Sequence, residues 1–129
     1  MGLDQYAYAV SKENVVDEFT INKRDEANEF FYWRKNNALH AWMQACYKQK
    51  KLAAGQTPEE FNCEYLQLTK EDLSRLRTDI QENSLTPTAG FFFGALVYDA
   101  DDKAADLEFV DEALHMLEDG FCVYYFSWW

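Results

Sequence analysis

Apolar positions recur along this chain with two periods, and the switches between them predict its elements. From Leu3 to Val10 a short Tyr- and Ala-rich run opens the chain as a strand. Ser11 to Asp25 is polar and reads as a loop with a short helix. Glu26 to Lys51 contains no Gly or Pro and predicts a long helix, with Asn36-Asn37 as the point where it would break. Within it Leu39, Met43 and Cys46 recur at helical spacing among Ala38, Ala41 and Ala45. Lys48, Lys50 and Lys51 fall in its last turn, where cations suit the helix dipole.

Further along, Thr57-Pro58-Glu59-Glu60 resembles a one-turn helix start. Phe61 to Leu68 reads as a strand, and Thr69 to Asp72 is a capping signal for a helix bearing Leu73, Leu76 and Ile80. Leu85 to Ala89 reads as a loop, Gly90-Phe91-Phe92-Phe93-Gly94 as a buried segment or tight strand, and Asp99 to Ala105 as an acidic connection. Asp106 to Asp119 is a helix by the spacing of Leu107, Val110, Leu114 and Leu117, with Gly120 as its C-terminal cap. Phe121 to Trp129 is a final strand, apolar on both faces, which places it inside a sheet. The order β-α-β-α-β-α-β predicts an α+β fold over residues 1–129 as one domain: a small mixed or antiparallel sheet, packed by about three helices, with the last strand central. Trp129 and at least one of Trp128 and Tyr125 are expected to be well buried.

With 129 residues, 48% hydrophobic and 17% aromatic, the chain can form a dense core without staples. A formal net charge of −11 argues against a general binder of nucleic acid or anionic membrane. The charge is uneven: Asp99 to Asp119 holds nine acids against one lysine, whereas Phe31 to Glu60 holds five bases against two acids. Asp99, Asp101, Asp102, Asp106, Asp111 and Glu112 therefore form a candidate surface for a basic protein partner, although acidic helices commonly serve only solubility. Cys46, Cys63 and Cys122 have no zinc-type spacing and read as reduced, mostly buried thiols of a cytosolic protein. The N-terminal residues do not read as a basic, apolar signal region, no apolar run approaches membrane length, and Tyr6 occupies the position where a myristoylation motif wants Ser or Thr.

The candidate chemistry lies on the predicted long helix. Trp33, Asn37, His40, Gln44 and Tyr47 fall at i, i+4, i+7, i+11 and i+14, one stripe beside the apolar face, with Arg34 and Lys35 next to Trp33. Rings that stack and donors that read polar edges suit a planar, partly anionic ligand such as a nucleotide. The same stripe also fits a boundary row whose polar groups bond to nearby backbone. His115 sits among acids on a solvated face. Asp99, Asp101 and Asp102 begin like a calcium loop, but Lys103, Ala104 and Val110 occupy positions that such a loop cannot spare. No nucleophile elbow, Walker loop or dinucleotide fingerprint occurs, so neither a cofactor nor a metal is expected.

Several blocks also carry a resemblance. Gly2-Leu3-Asp4 with Tyr6-Ala7, Tyr32-Trp33-Arg34-Lys35 with Asn37, Leu39-His40 and Trp42-Met43, Phe61-Asn62-Cys63, Gly90 to Gly94, and Val123-Tyr124-Tyr125 with Ser127-Trp128-Trp129 span nearly the whole chain. Together they resemble a group of small uncharacterised proteins of tailed bacteriophages and bacteria. Some of these carry a phosphoglycerate kinase label, but that enzyme needs two large nucleotide-binding domains. The resemblance implies a phage or prophage origin and the cytoplasm of a bacterial host, with no activity attached. Three functions compete. The first is a non-catalytic phage accessory or counter-defence protein that captures a small polar ligand or a host protein. The second is an acidic inhibitor that mimics nucleic acid. The third is a small enzyme with His40 as general base.

Overall fold

The computed structural model describes residues 2–22, 28–85 and 98–129. Strands β1 (Asp4–Val10), β4 (Asn28–Arg34), β5 (Glu64–Leu68) and β6 (Cys122–Trp128) form an antiparallel sheet in the order β4-β1-β6-β5. The short strands β2 (Val15–Asp17) and β3 (Thr20–Ile21) pair as a separate hairpin. With helices α1 (Asn37–Ala53), α2 (Lys70–Gln81) and α3 (Ala100–Glu118), this is the expected α+β fold, and the final strand is interior to the sheet.

Strand alternation divides the sheet into two unlike faces. Gln5, Ala7 and Ala9 of β1, Trp33 of β4, Leu66 and Leu68 of β5, and Val123, Tyr125 and Ser127 of β6 are all buried. Most of them join one core with Leu39, Met43 and Tyr47 of α1, Leu73, Leu76 and Ile80 of α2, and Phe109, Val110 and Ala113 of α3. Small alanines on β1 leave room there for the larger aromatic rings of its neighbours. On the opposite face a second, smaller cluster gathers Val10, Ile21 and Tyr124, so the β2–β3 hairpin covers one end of that face.

Several expectations need correction. The helix does not start at Glu26. Residues Asn28–Arg34 are a strand, because Phe30, Phe31, Tyr32 and Trp33 are strong strand formers and β1 supplies a partner. Lys35 then adopts a left-handed conformation (φ 59°), and Asn36 caps the new helix by accepting from the Leu39 amide. The suspected break at Asn36-Asn37 is therefore the true helix start. Residues 56–60 form no helical turn, and β5 begins only at Glu64, after Cys63 turns the chain with φ 61°.

The acidic segment from Asp99 is no connection. Asp99 and Asp102 form a reciprocal capping box that opens α3, where carboxylates suit the positive helix end. Its buried residues are Asp106, Phe109, Val110 and Ala113, while Leu107, Leu114 and Leu117 are only half-buried, because Phe109 meets the rings of Phe30, Phe31 and Trp33. Gly120 does end the helix: its φ is 93°, and the Gly120 and Phe121 amides close onto Leu117 and Met116. The capping box at Thr69 and Asp72 and the buried row Leu73, Leu76 and Ile80 stand as expected. Tyr125 is fully buried, but Trp128 is exposed and Trp129 only half-buried, because alternation turns Trp128 to the open side. Cys46 is buried, Cys122 half-buried and Cys63 exposed, so the thiols are not uniformly inside. The Gly90 to Gly94 segment lies outside the described residues, as does nearly all of the loop before it.

Candidate functional site

The proposed helical stripe is split by the fold. Trp33 sits on β4, whereas Asn37, His40, Gln44 and Tyr47 sit on α1. Trp33, Asn37, His40 and Tyr47 are buried, Gln44 is half-buried, and only Arg34 and Lys35 are exposed. The stripe is mostly core rather than one open surface.

What the fold assembles from these residues is a buried hydrogen-bond network. The Asp106 carboxylate of α3 accepts from Trp33 Nε1 (2.9 Å), Asn36 Nδ2 (3.0 Å) and the Tyr98 hydroxyl (2.6 Å). Gln5 of β1 accepts from the Asn36 amide (2.8 Å) and donates to the Asn36 carbonyl and to Tyr125 Oη. Tyr125 in turn lies 3.0 Å from His40 Nδ1, with Ser127 Oγ at 3.4 Å. Because Gln5 donates to the Tyr125 oxygen, the Tyr125 proton is available to His40, whose Nδ1 then accepts as a neutral ring.

Two titratable groups end this network, and burial acts on them in opposite directions. Burial pushes Asp106 up to about 6, although the hydrogen bonds from Tyr98, Asn36 and Trp33 favour its ionised form. Burial alone lowers His40 to about 4. The His40 ring is 2% exposed and packs against Phe61, Tyr125 and Trp129. A general base must reach a substrate proton, and this ring is enclosed by other rings.

The acidic surface also needs correction. Asp106 is fully buried and is no part of it, because it accepts the hydrogen bonds of the network. Asp99, Asp101 and Asp111 are exposed, and Asp102 and Glu112 are half-buried. Asp99 and Asp102 cap α3, and Asp111 pairs with Arg77 of α2.

Two pockets are bordered by described residues, and none of the lining residues belongs to the buried network. One of about 260 Å³ is bordered by Lys70, Leu114, Leu117 and Glu118. Another of about 240 Å³ lies between α1 and α2 at Trp42, Ala45, Cys46, Gln49 and Arg75. The Cys46 thiol there lies 3.6 Å from Arg75, yet burial raises its pKa, which opposes a reactive thiolate. No cluster of His, Cys, Asp and Glu suited to a metal occurs among the described residues. No described helix is long and apolar enough to cross a membrane.

The most distinctive surface is the sheet face turned away from the helices. Tyr6 and Tyr8 of β1, Tyr32 of β4, Tyr65 of β5, and Phe126 and Trp128 of β6 share it by register. Their rings form a continuous mosaic: Tyr6 meets Tyr8, Tyr32 and Phe126 at 5.3–6.5 Å between centroids, and Tyr65 meets Phe126 at 4.7 Å. Trp128 Nε1 donates to Tyr6 Oη at 3.3 Å. Tyr32 and Trp128 are each 46% exposed.

The hairpin side and the open side of this face differ in charge. Partial burial, with Tyr65 and Glu29 nearby, pushes Tyr8 up to about 12, and Asp17 and Glu18 lie close to Tyr124. At the open end Tyr32 donates to Asp4 at 2.6 Å, which raises the Tyr32 pKa. Arg34 stands across from Asp4, and both Arg34 and Lys35 reach Gly2: a Cβ built there would lie 3.5 Å from Arg34 Nη2 and 3.7 Å from Lys35 Cε.

Sequence reasoning misses this face because a strand apolar on both sides reads as buried on both sides. The available signal was alternation: Tyr6 and Tyr8 stand opposite to Ala7 and Ala9, and Phe126 and Trp128 stand opposite to Tyr125 and Ser127. Compared with protein-family models, curated proteins and solved structures, the chain shows no significant match to any.

Proposed function

We propose that this chain is a non-catalytic binding protein whose recognition surface is the aromatic outer face of its sheet. The observation that carries this reading is the mosaic of six rings, with Tyr32 and Trp128 each 46% exposed. Large aromatic side chains gain by leaving water, and a contiguous patch of them rimmed by polar groups marks an interaction site more often than a solvated surface. Of the candidate groups on the helical stripe, Trp33, Asn37, His40 and Tyr47 are buried inside the protein, whereas Arg34 and Lys35 stay exposed at the edge of this face. The phage resemblance makes an accessory or counter-defence role the biological setting of this reading.

A panel of nucleotides, saccharides and basic peptides, followed by amide chemical-shift mapping, tests the location. Shifts are expected along Asp4–Tyr8, Tyr32–Lys35 and Phe126–Trp128. Shifts confined to the surroundings of His40 would favour the enzyme reading and end this one.

The acidic surface supports a second reading, an inhibitor that mimics nucleic acid. Asp101, Glu108, Asp111 and Glu118 are exposed at positions that share one side of α3. Under that reading shifts would follow α3, and reversing charge at Asp101, Glu108 and Glu118 would weaken a salt-sensitive complex with a basic protein.

A further inference from the structure

We propose that the open end of the aromatic face binds a free mononucleotide, its base on the rings of Tyr32, Tyr6 and Trp128 and its phosphate at Arg34 and Lys35. This inference rests on the reading of that face as the recognition surface and names its ligand class.

Three observations converge on it. The first is the stacking platform. Tyr6 and Tyr32 lie 5.3 Å apart by ring centroid at 53° to one another, so a base stacked on one meets the other at an angle, and Trp128 is held beside Tyr6 by its own hydrogen bond. Flat, half-exposed rings offer π-faces to any base, and base–ring stacking needs little else. The second is charge. The ion pairs formed among the described residues are Lys50–Asp72, Arg75–Asp72, Arg77–Asp111 and His115–Glu118, so neither Arg34 nor Lys35 belongs to one. Asp4, the cross-strand neighbour of Arg34, accepts from Tyr32 instead. A guanidinium beside an ammonium suits a phosphate: Arg offers paired donors in a plane, and Lys a compact charge. The third is placement. The left-handed backbone at Lys35 turns its side chain back to Gly2, next to the Arg34 guanidinium. A single residue fixed in that uncommon conformation is thus what brings the second cation to the edge of the platform.

The same electrostatics select against a polymer. Beyond the open end, Glu29 lies near Tyr8, and Asp17 and Glu18 near Tyr124. Successive phosphates running along the face would meet these carboxylates within a protein of net charge −11. A single nucleotide places its anion at the cationic end only. Asp4, oriented by Tyr32, can accept from a ribose hydroxyl or a base amino group.

Titration calorimetry with AMP, GMP, UMP, adenosine, inorganic phosphate and a ten-nucleotide oligothymidylate tests the proposal on the full chain. At least one mononucleotide should bind at least tenfold more tightly than its nucleoside or inorganic phosphate, and more tightly than the oligonucleotide. Trp128→Ala, Tyr32→Ala and Arg34→Gln should each weaken it at least tenfold. Tyr32→Phe and Trp128→Phe, which keep the ring, should remain within about threefold, as stacking rather than hydrogen bonding is expected to dominate. These side chains are exposed enough that truncation leaves the fold intact, and circular dichroism of each variant checks that.

Absence of nucleotide binding, with other ligands still shifting the face, overturns the ligand class and leaves the face as the recognition surface. Nucleotide binding that survives Trp128→Ala and Tyr32→Ala overturns both. Equal affinity for nucleoside and nucleotide removes the phosphate site, and preference for the oligonucleotide replaces the ligand by a polymer. A dimer that occludes Trp128 would assign the face to a second copy of the chain.

Discussion

The two faces of the four-stranded sheet are built from similar side chains put to opposite use. On the helix side, the Tyr125 and Trp33 rings are buried and their polar atoms are tied into the Asp106 network. On the other side, Tyr32 and Trp128 keep nearly half their surface in water. Polar groups converging in a core exclude alternative packings, because each of them must find its partner. Rings held open on a rigid sheet do nothing comparable for the fold. The contrast teaches that convergent polar residues here mark architecture, and it is why the exposed aromatics are proposed as the recognition surface.

Breaking the inner face should cost most. Deleting Phe126–Trp129 removes the pairing of β6 with Asp4–Tyr6 and with Glu64–Tyr65. That truncated chain is expected to lose cooperative thermal unfolding, whereas a preserved melting temperature would deny β6 its central role. Asp106→Ala comes next. It leaves the buried Trp33 and Asn36 donors and the half-buried Tyr98 hydroxyl without their acceptor, and with roughly 1–3 kcal/mol for each of the two buried groups the expected loss is about 2–6 kcal/mol in urea unfolding.

A third effect comes from pH. Asp106 has a folded pKa of about 6, above its unfolded value, so its contribution is full in acid and is lost as pH rises through 6. His40 has a folded pKa of about 4, below its unfolded value of about 6.5, so its contribution is full above 6.5 and is lost as pH falls towards 4. Between pH 4 and 6 the two oppose each other, and the wild-type protein should show a shallow profile. Asp106→Asn should expose the His40 side, with stability falling on acidification by on the order of 3 kcal/mol. His40→Gln should expose the other side, with stability rising over the same range. Denaturant titrations at several pH values would show both, and parallel profiles for the two variants would refute the opposition.

The outer face should respond least in stability. Tyr32→Ala and Trp128→Ala are expected to cost at most about 1 kcal/mol, as exposed positions do, while abolishing recognition. Lys35→Asn should leave the melting temperature nearly unchanged, because Asn tolerates the left-handed conformation, yet weaken anion binding. A large stability loss at any of these positions would place the outer face among the determinants of the fold.

Local signals were the legible ones. Thr69 with Asp72, the row Leu73, Leu76 and Ile80, and Gly120 each act within a few residues of themselves, and the structure has each where the sequence predicts it. The interior place of the last strand followed from its apolar sequence. Strand β4 was not legible, because a stretch free of Gly and Pro suits a helix until a partner strand is known, and that partner lies about 25 residues away in β1. The acids from Asp99 looked like a linker because a capping box and a solvated loop share the same residues. Of the candidate site, Arg34 and Lys35 remain on an open surface, and Trp33, Asn37, His40 and Tyr47 went into the core once Trp33 proved to lie on a strand.

Hydroxyl-radical footprinting of the protein with and without its ligand tests the division of labour between the two faces most directly. Tyr32 and Trp128 should oxidise readily in the free protein and become protected on binding, while Tyr47, Tyr125 and His40 stay unreactive in both states. Protection confined to α3, or oxidation of Tyr125 at the rate of Tyr32, would contradict it.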